Sequence, residues 1–273
     1  MSSEIIDFAQ WFRSPAGRYL HAWELEHGDQ VVADCFGYHA LQIGCEYLQL
    51  LRNSRIQHRW LAGVEACWQD EPATLTPQEV QAAGVPQPQP DLILDPTALP
   101  FAENSVDLVV LPHTLEASAD PHATLREVAR VLVPEGRLLV IGFNPTSLWG
   151  AQQHYSMLAH RMGGRLEPFI PDVDDLIGHR RLRDWLRLLN LEVEGGRFGC
   201  YRPGMDSARW FGRLEWMERA GDRWWPVLGG VYLLTAVKRV RGMRMLQPRW
   251  KEIKRQRSQV PVAQQAGPSR RRV

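Results

Sequence analysis

The residues that could ligate a metal or act as nucleophiles are few and dispersed. Four cysteines, Cys35, Cys45, Cys67 and Cys200, form no C-x-x-C pair, and no histidine stands beside one at zinc-ligand spacing. They are too few and too scattered for a disulfide framework, so buried thiols are the expected state. Nine histidines include no H-E-x-x-H or comparable cluster. No structural or catalytic metal is expected. The charges are more informative. Lys and Arg number 32 against 31 Asp and Glu, a net +1. From Lys238 to Val273, however, twelve basic residues face the single acid Glu252, a net +11, which leaves residues 1–237 at −10. A basic end on an acidic body suggests contact with a polyanion or with the body itself. A solvated segment that maintains solubility is the simpler reading, because no RNP, KH or zinc-finger signature accompanies the charge.

These residues must be positioned by a sizeable fold. A chain of 273 residues with 44 % apolar content supports one large domain or two small ones. No stretch approaches the run of roughly 18 apolar residues that a membrane helix needs. The opening Met1-Ser2-Ser3-Glu4 lacks a basic region followed by an apolar one, so a cytoplasmic, bacterial-type enzyme or binding domain is expected. Residues 1–36 read as helical: Ser3 would cap one helix over Glu4–Phe12, and Ser14-Pro15 would open a second. Short apolar runs at 37–44, 59–64, 91–94, 106–111 and 137–143 read as strands. Helices are expected between them over Cys45–Asn53, after the capping-box pattern Thr76-Pro77-Gln78-Glu79, and from Asp120-Pro121 until Pro134-Glu135-Gly136. Asp174-Asp175 would start a later helix, followed by a strand near 198–201 and a strong one at 231–237. Strands alternating with helices indicate a doubly wound parallel sheet covered on both faces. The Trp-rich insertion at about 202–228, with Trp210, Trp216, Trp224 and Trp225, is expected to pack locally. Residues 241–273 read as a basic, disordered tail.

Over residues 91–143 the pattern resembles class I S-adenosylmethionine (SAM) methyltransferases, in the branch of the ubiquinone and menaquinone biosynthesis (type 11) enzymes. The blocks are Asp95-Pro96-Thr97-Ala98-Leu99-Pro100-Phe101, Asn104-Ser105-Val106-Asp107-Leu108-Val109-Val110, Leu115-Glu116, Leu125-Arg126-Glu127 and Arg130 to Leu138. Looser similarity, by element order, extends from 37 to 240. The resemblance implies a Rossmann-like seven-stranded sheet with a final antiparallel strand pair. It also implies SAM bound across the carboxyl ends of the strands, where open α/β sheets place ligands. In Gly63-Val64-Glu65 the acid would accept the ribose hydroxyls; it lies 21 positions after Gly44, near the roughly 20 of dinucleotide sites, and is otherwise a surface glutamate. Asp95 would accept the adenine amino group, or cap an Asp-Pro turn in the same geometry. Leu111-Pro112-His113 would stand beside the sulfonium, with His113 lining the pocket or serving as the base.

The departures are specific. The family's acid-x-Gly-x-Gly-x-Gly loop reads Gln42-Ile43-Gly44-Cys45-Glu46-Tyr47-Leu48, keeping the first glycine alone. Gln42 replaces the acid that helps hold the methionine ammonium, and Pro96 lacks the N–H that family members direct at adenine. Asn144-Pro145-Thr146-Ser147 follows the fifth strand rather than the fourth, and reads as a turn rather than an amino-methylation motif. Residues 147–165 read as a lid or acceptor wall. The expected function is SAM-dependent methyl transfer to a small or medium-sized acceptor. The alternatives are a non-catalytic methyltransferase-like binding domain and an RNA-modifying enzyme tethered by the basic tail.

Overall fold

The computed structural model describes residues 11–12, 14–64, 89–161, 170, 176–204 and 212–240. Their frame is a seven-stranded sheet: β1 (His39–Ile43), β2 (His58–Val64), β3 (Leu92–Leu94), β4 (Val106–Pro112), β5 (Leu132–Phe143), β6 (Leu191–Gly199) and β7 (Val231–Lys238). The strand order is 3-2-1-4-5-7-6. Strands β1 to β5 run parallel to one another, and β7 is antiparallel to both β5 and β6. This is the doubly wound, Rossmann-like architecture expected from the alternation of elements, closed by the antiparallel pair.

Strand β4 explains why the sheet is covered twice. Every residue from Leu108 to Pro112 is buried, so both faces need partners. Leu108 and Val110 join Leu139, Ile141, Phe143, Leu20 and Val32 in one core. Val109 and Leu111 join Leu138, Val140, Leu125, Val128, Leu182 and Leu186 in the other. The period of two along each strand thus sorts the side chains between the cores. The first core is covered by α1 (Pro15–Ala33), capped by Ser14 Oγ accepting from the Gly17 N–H at 2.9 Å. The second is covered by α3 (Pro121–Val131), where the Asp120 side chain accepts from the Ala123 N–H, and by α5 (His179–Leu188). A short α2 (Thr114–Ala117) links β4 to α3. Two more helices, α4 (Leu148–Arg161) and α6 (Trp216–Trp224), follow β5 and β6.

Several expectations change. Strand β5 begins at Leu132, not Arg137. The ladder jumps from Val106–Leu132 to Leu108–Arg137, so Pro134-Glu135-Gly136 forms a bulge inside the strand, with Glu135 at φ 65°. Helix α5 begins at His179 after an extended Gly178; Asp174-Asp175 lie outside the described residues. Among the described Trp residues of the insertion, Trp216, Trp224 and Trp225 are exposed rather than packed away, Trp224 at 71 %. Trp210, the segments 1–10 and 65–88, and the basic segment 241–273 lie outside the described residues.

The helix expected over Cys45–Asn53 is reduced to a single 3-10 turn at Leu50–Asn53. Its cause is Gln42, buried at the end of β1. The side-chain amide donates to the Leu48 carbonyl at 2.6 Å and reaches those of Cys45 and Gly44 at 3.3 and 3.4 Å, while Oε1 accepts from the Leu50 N–H at 3.1 Å. Carbonyls turned toward a side chain cannot also point along a helix axis, and Cys45 at φ 42° completes the break. The Gln42→Ala variant should lose about 1–3 kcal/mol in denaturant unfolding, because it removes the buried amide's bonds to the Leu48 carbonyl and from the Leu50 N–H. Gln42→Glu, which installs the family's acid, should lose at least as much, since a carboxylate there faces the oxygens that the amide now satisfies.

Candidate active site

The strand order reverses between β1 and β4, so the crevice at their carboxyl ends is where this architecture admits a ligand. Gly44 ends β1 with φ +76°, the left-handed region, and its N–H donates to the Ala62 carbonyl at 2.8 Å. A Cβ added there would stand 3.1 Å from Thr114 Oγ1, whose hydroxyl donates to the Ile43 carbonyl. The left-handed conformation favours glycine, and a Cβ would also crowd the Thr114 hydroxyl.

At the end of β4, the His113 N–H continues the ladder by donating to the Ile141 carbonyl at 2.9 Å. His113 then adopts φ 55°, ψ 8°, and that left-handed step starts α2. Its ring lies 4.3 Å from that of Phe143 between centroids, and the residue is only 2 % exposed. Two carboxylates clamp it. Nε2 lies 2.7 Å from Glu24 Oε1 on α1, and Nδ1 lies 3.1 Å from Glu116 Oε2, one turn along α2. Glu116 Oε1 also accepts from the Phe143 N–H at 2.6 Å, tying the cluster to the end of β5. Glu24 is fully buried, and its Oε2 accepts no hydrogen bond.

Both ring nitrogens thus face carboxylate oxygens. A neutral imidazole donates from one nitrogen only, whereas a doubly protonated ring donates to both carboxylates. Burial alone would lower the His113 pKa, but the Glu24 and Glu116 carboxylates outweigh it and push the value up to about 10. Burial raises Glu116 against the pull of His113. The same dry surroundings raise the Cys200 thiol, with the negative charge of Glu24 adding to the effect. An imidazolium has no lone pair, so His113 in this state is no general base. What it can do is anchor α1 across the strand tips.

The remaining expected site residues separate. Asp95 follows β3 and is exposed; its Oδ1 accepts from the Thr97 N–H at 2.8 Å and the Thr97 hydroxyl at 2.7 Å. Those bonds lower its pKa and realise the Asp-Pro turn. Pro96 is buried beside it. Leu111 points into the core beneath α3 and α5 rather than lining an opening. Glu65 lies outside the described residues. Asn144 Nδ2 donates to the Val227 and Gly229 carbonyls at 2.7 and 2.9 Å, so the Asn-Pro segment acts as a strand-ending tie. Glu24 was missed by sequence reasoning. Its signal was available: Leu20, Glu24, Gly28 and Val32 follow a four-residue spacing along the buried stripe of α1, and an acid on an apolar stripe needs a partner.

Comparison with known proteins agrees with this frame. A methyltransferase domain model, of type 11, matches residues 69–140. The uncharacterised protein YafS of Escherichia coli (strain K12) is 30 % identical over 237 residues, which cover 86 % of this chain and 79 % of YafS. The demethylmenaquinone methyltransferase of Mycolicibacterium paratuberculosis is 42 % identical over 66 residues, only 24 % of this chain and 29 % of that enzyme. Among solved structures, the methyltransferase partner in a complex of the Haloferax volcanii Trm112 methyltransferase activator superposes with a TM-score of 0.52 at 20 % identity, covering 88 % of this chain and 99 % of that one; this likeness concerns the fold. The chain belongs to the class I SAM-dependent methyltransferases of the type 11 branch, in one family with YafS.

The clamp makes a pH prediction. His113 has a folded pKa raised to about 10, against about 6.5 for an unfolded histidine. Its contribution to stability is therefore complete below about pH 6.5 and is lost as pH rises through about 10. In thermal melts, the gap between the wild type and His113→Gln should be widest near neutrality and close toward pH 10. A gap that widens with pH would contradict the clamp.

Proposed function

We propose that SAM binds at the carboxyl ends of β1 to β4, and that the chain transfers its methyl group to a small or medium-sized molecule. The observation that carries this reading is Gly44: a left-handed glycine at the β1/β4 switch point, where an added Cβ would stand 3.1 Å from Thr114 Oγ1. A residue without a Cβ lets backbone come close to a ligand. In this reading Gly44 stands at the turn, Asp95 accepts from the adenine amino group next to Pro96, which offers no N–H, and Glu65, outside the described residues, takes the ribose. Leu111 and His113 belong to the strand end beside the reacting methyl. When bound, SAM supplies an electrophilic sulfonium methyl group.

The methionine half would be held differently from the family pattern, because the Gln42 amide is committed to the loop carbonyls. His113, held protonated, takes no proton from the acceptor. The acceptor must then be nucleophilic at ambient pH, and the protein's contribution is to hold donor and acceptor at attack distance and angle. A cytoplasmic setting suits the buried thiols of Cys35 and Cys200.

Calorimetry with SAM and S-adenosylhomocysteine tests this reading. Saturable binding is expected, weakened about tenfold in Asp95→Ala, the loss of one hydrogen bond to a charged group. Methyl transfer from labelled SAM into a small-molecule fraction of cell extract should accompany it. No binding at millimolar SAM would overturn the proposal.

A further inference from the structure

Helix α4 is built inside out. Its inward face carries Gln153 and Ser156 beside Trp149, all buried. Gln153 Oε1 accepts from the Ile170 N–H at 2.9 Å, and the Ser156 hydroxyl donates to the Gln153 carbonyl. The outward face carries the apolar residues: Leu148, Ala151, Tyr155 and Leu158 follow helical spacing and are exposed, Tyr155 at 67 %. A helix that only packed on its own domain would show the reverse.

The same end of the sheet carries a second apolar feature. Gly199 and Phe143 both pair with Val231, so the β6–β7 insertion emerges at the carboxyl end of the sheet, as α4 does. Asp222 to Leu228 are exposed without interruption, and include Trp224, Trp225, Val227 and Leu228. The two features are joined at their bases. Trp149 Nε1 donates to the Arg202 carbonyl at 2.5 Å, and Gln152 Nε2 to the Gly204 carbonyl at 3.2 Å.

Charge indicates what could cover this surface. Between Glu135 and Glu167 the chain has no acidic residue, while the stretch from α4 onward contains His154, His160, Arg161 and Arg165. Exposed Trp and Tyr and aliphatic residues in a helical stripe match the requirements of a lipid headgroup layer, and at the tip the exposed Arg213, Arg219 and Arg223 outnumber Glu215 and Asp222. The basic residues from Arg241 to Arg272, opposed only by Glu252, supply the electrostatic second signal that lasting attachment to anionic lipid requires. No helix among the described residues is long and apolar enough to cross a membrane, so attachment would be from one side.

We propose that the exposed stripe of α4 and the tryptophan tip of the β6–β7 insertion form a docking surface for an anionic membrane, which turns the carboxyl end of the sheet toward the bilayer. The inference stands independently of SAM chemistry.

The test is co-sedimentation of the full-length protein with vesicles of phosphatidylcholine, alone or mixed with phosphatidylglycerol. Binding to the mixed vesicles is expected, with quenching of tryptophan fluorescence by brominated lipid and weakening by salt. The double variants Tyr155→Ser/Leu158→Ser and Trp224→Ala/Trp225→Ala should each lose about tenfold in partitioning while melting like the wild type. Absence of binding to mixed vesicles, equal binding to both vesicle types, or binding that both double variants leave intact would overturn the proposal. So would lipid-independent self-association abolished by the same substitutions, which would make a second copy of the chain the occupant.

Discussion

Two carboxylates and one imidazolium, all removed from water, meet where the first helix crosses the tip of the central strand. Such a cluster places ionisable groups in surroundings that penalise any charge. It persists only if each member is held by the others, so Glu24, His113 and Glu116 constrain three elements together. Glu24 brings α1, His113 the end of β4, and Glu116 the first turn of α2 and, through the Phe143 amide, the end of β5. Removing one partner would strand the rest as unpaired buried groups, a change typically costing about 3–5 kcal/mol. Specificity of arrangement is what the cluster provides: α1 has one register in which Glu24 meets His113.

That constraint shapes the chemistry available at the crevice. A histidine at the end of the fourth strand invites assignment as a base. Its surroundings make it a fixed cation instead. The adjoining turn has been recast in the same spirit. The loop that in related enzymes is kept open by several glycines is here organised around the Gln42 amide, with Gly44 alone retaining the left-handed step. The two changes are compatible with one another: both replace freedom at the strand tips with internal hydrogen bonds.

The frame was legible in the sequence because it depends on local patterns. Apolar runs of β-branched residues gave the strands, and Ser14-Pro15 and Asp120-Pro121 gave two helix starts that the structure caps as expected. The antiparallel ending followed from family likeness and was met by β7. What escaped were features created by distant contacts. Cys45–Asn53 has helical spacing, but a side chain at Gln42 captures its carbonyls. Pro134-Glu135-Gly136 looks like a boundary, yet β4 accommodates it as a bulge. The tryptophans of the insertion were expected to pack locally, whereas Trp216, Trp224 and Trp225 stand exposed. At the site, His113 was found by its place after the fourth strand. Its partner Glu24 lies 89 residues earlier, and no local pattern joins them.

The protonation of the His113 ring is the most direct test of this account. In nitrogen-15 NMR of the imidazole, assigned by comparison with His113→Gln, both ring nitrogens should carry protons from neutral pH to above pH 8, with a single titration near pH 10. A neutral ring at pH 7.5, with one unprotonated nitrogen, would contradict the clamp and restore His113 as a candidate base.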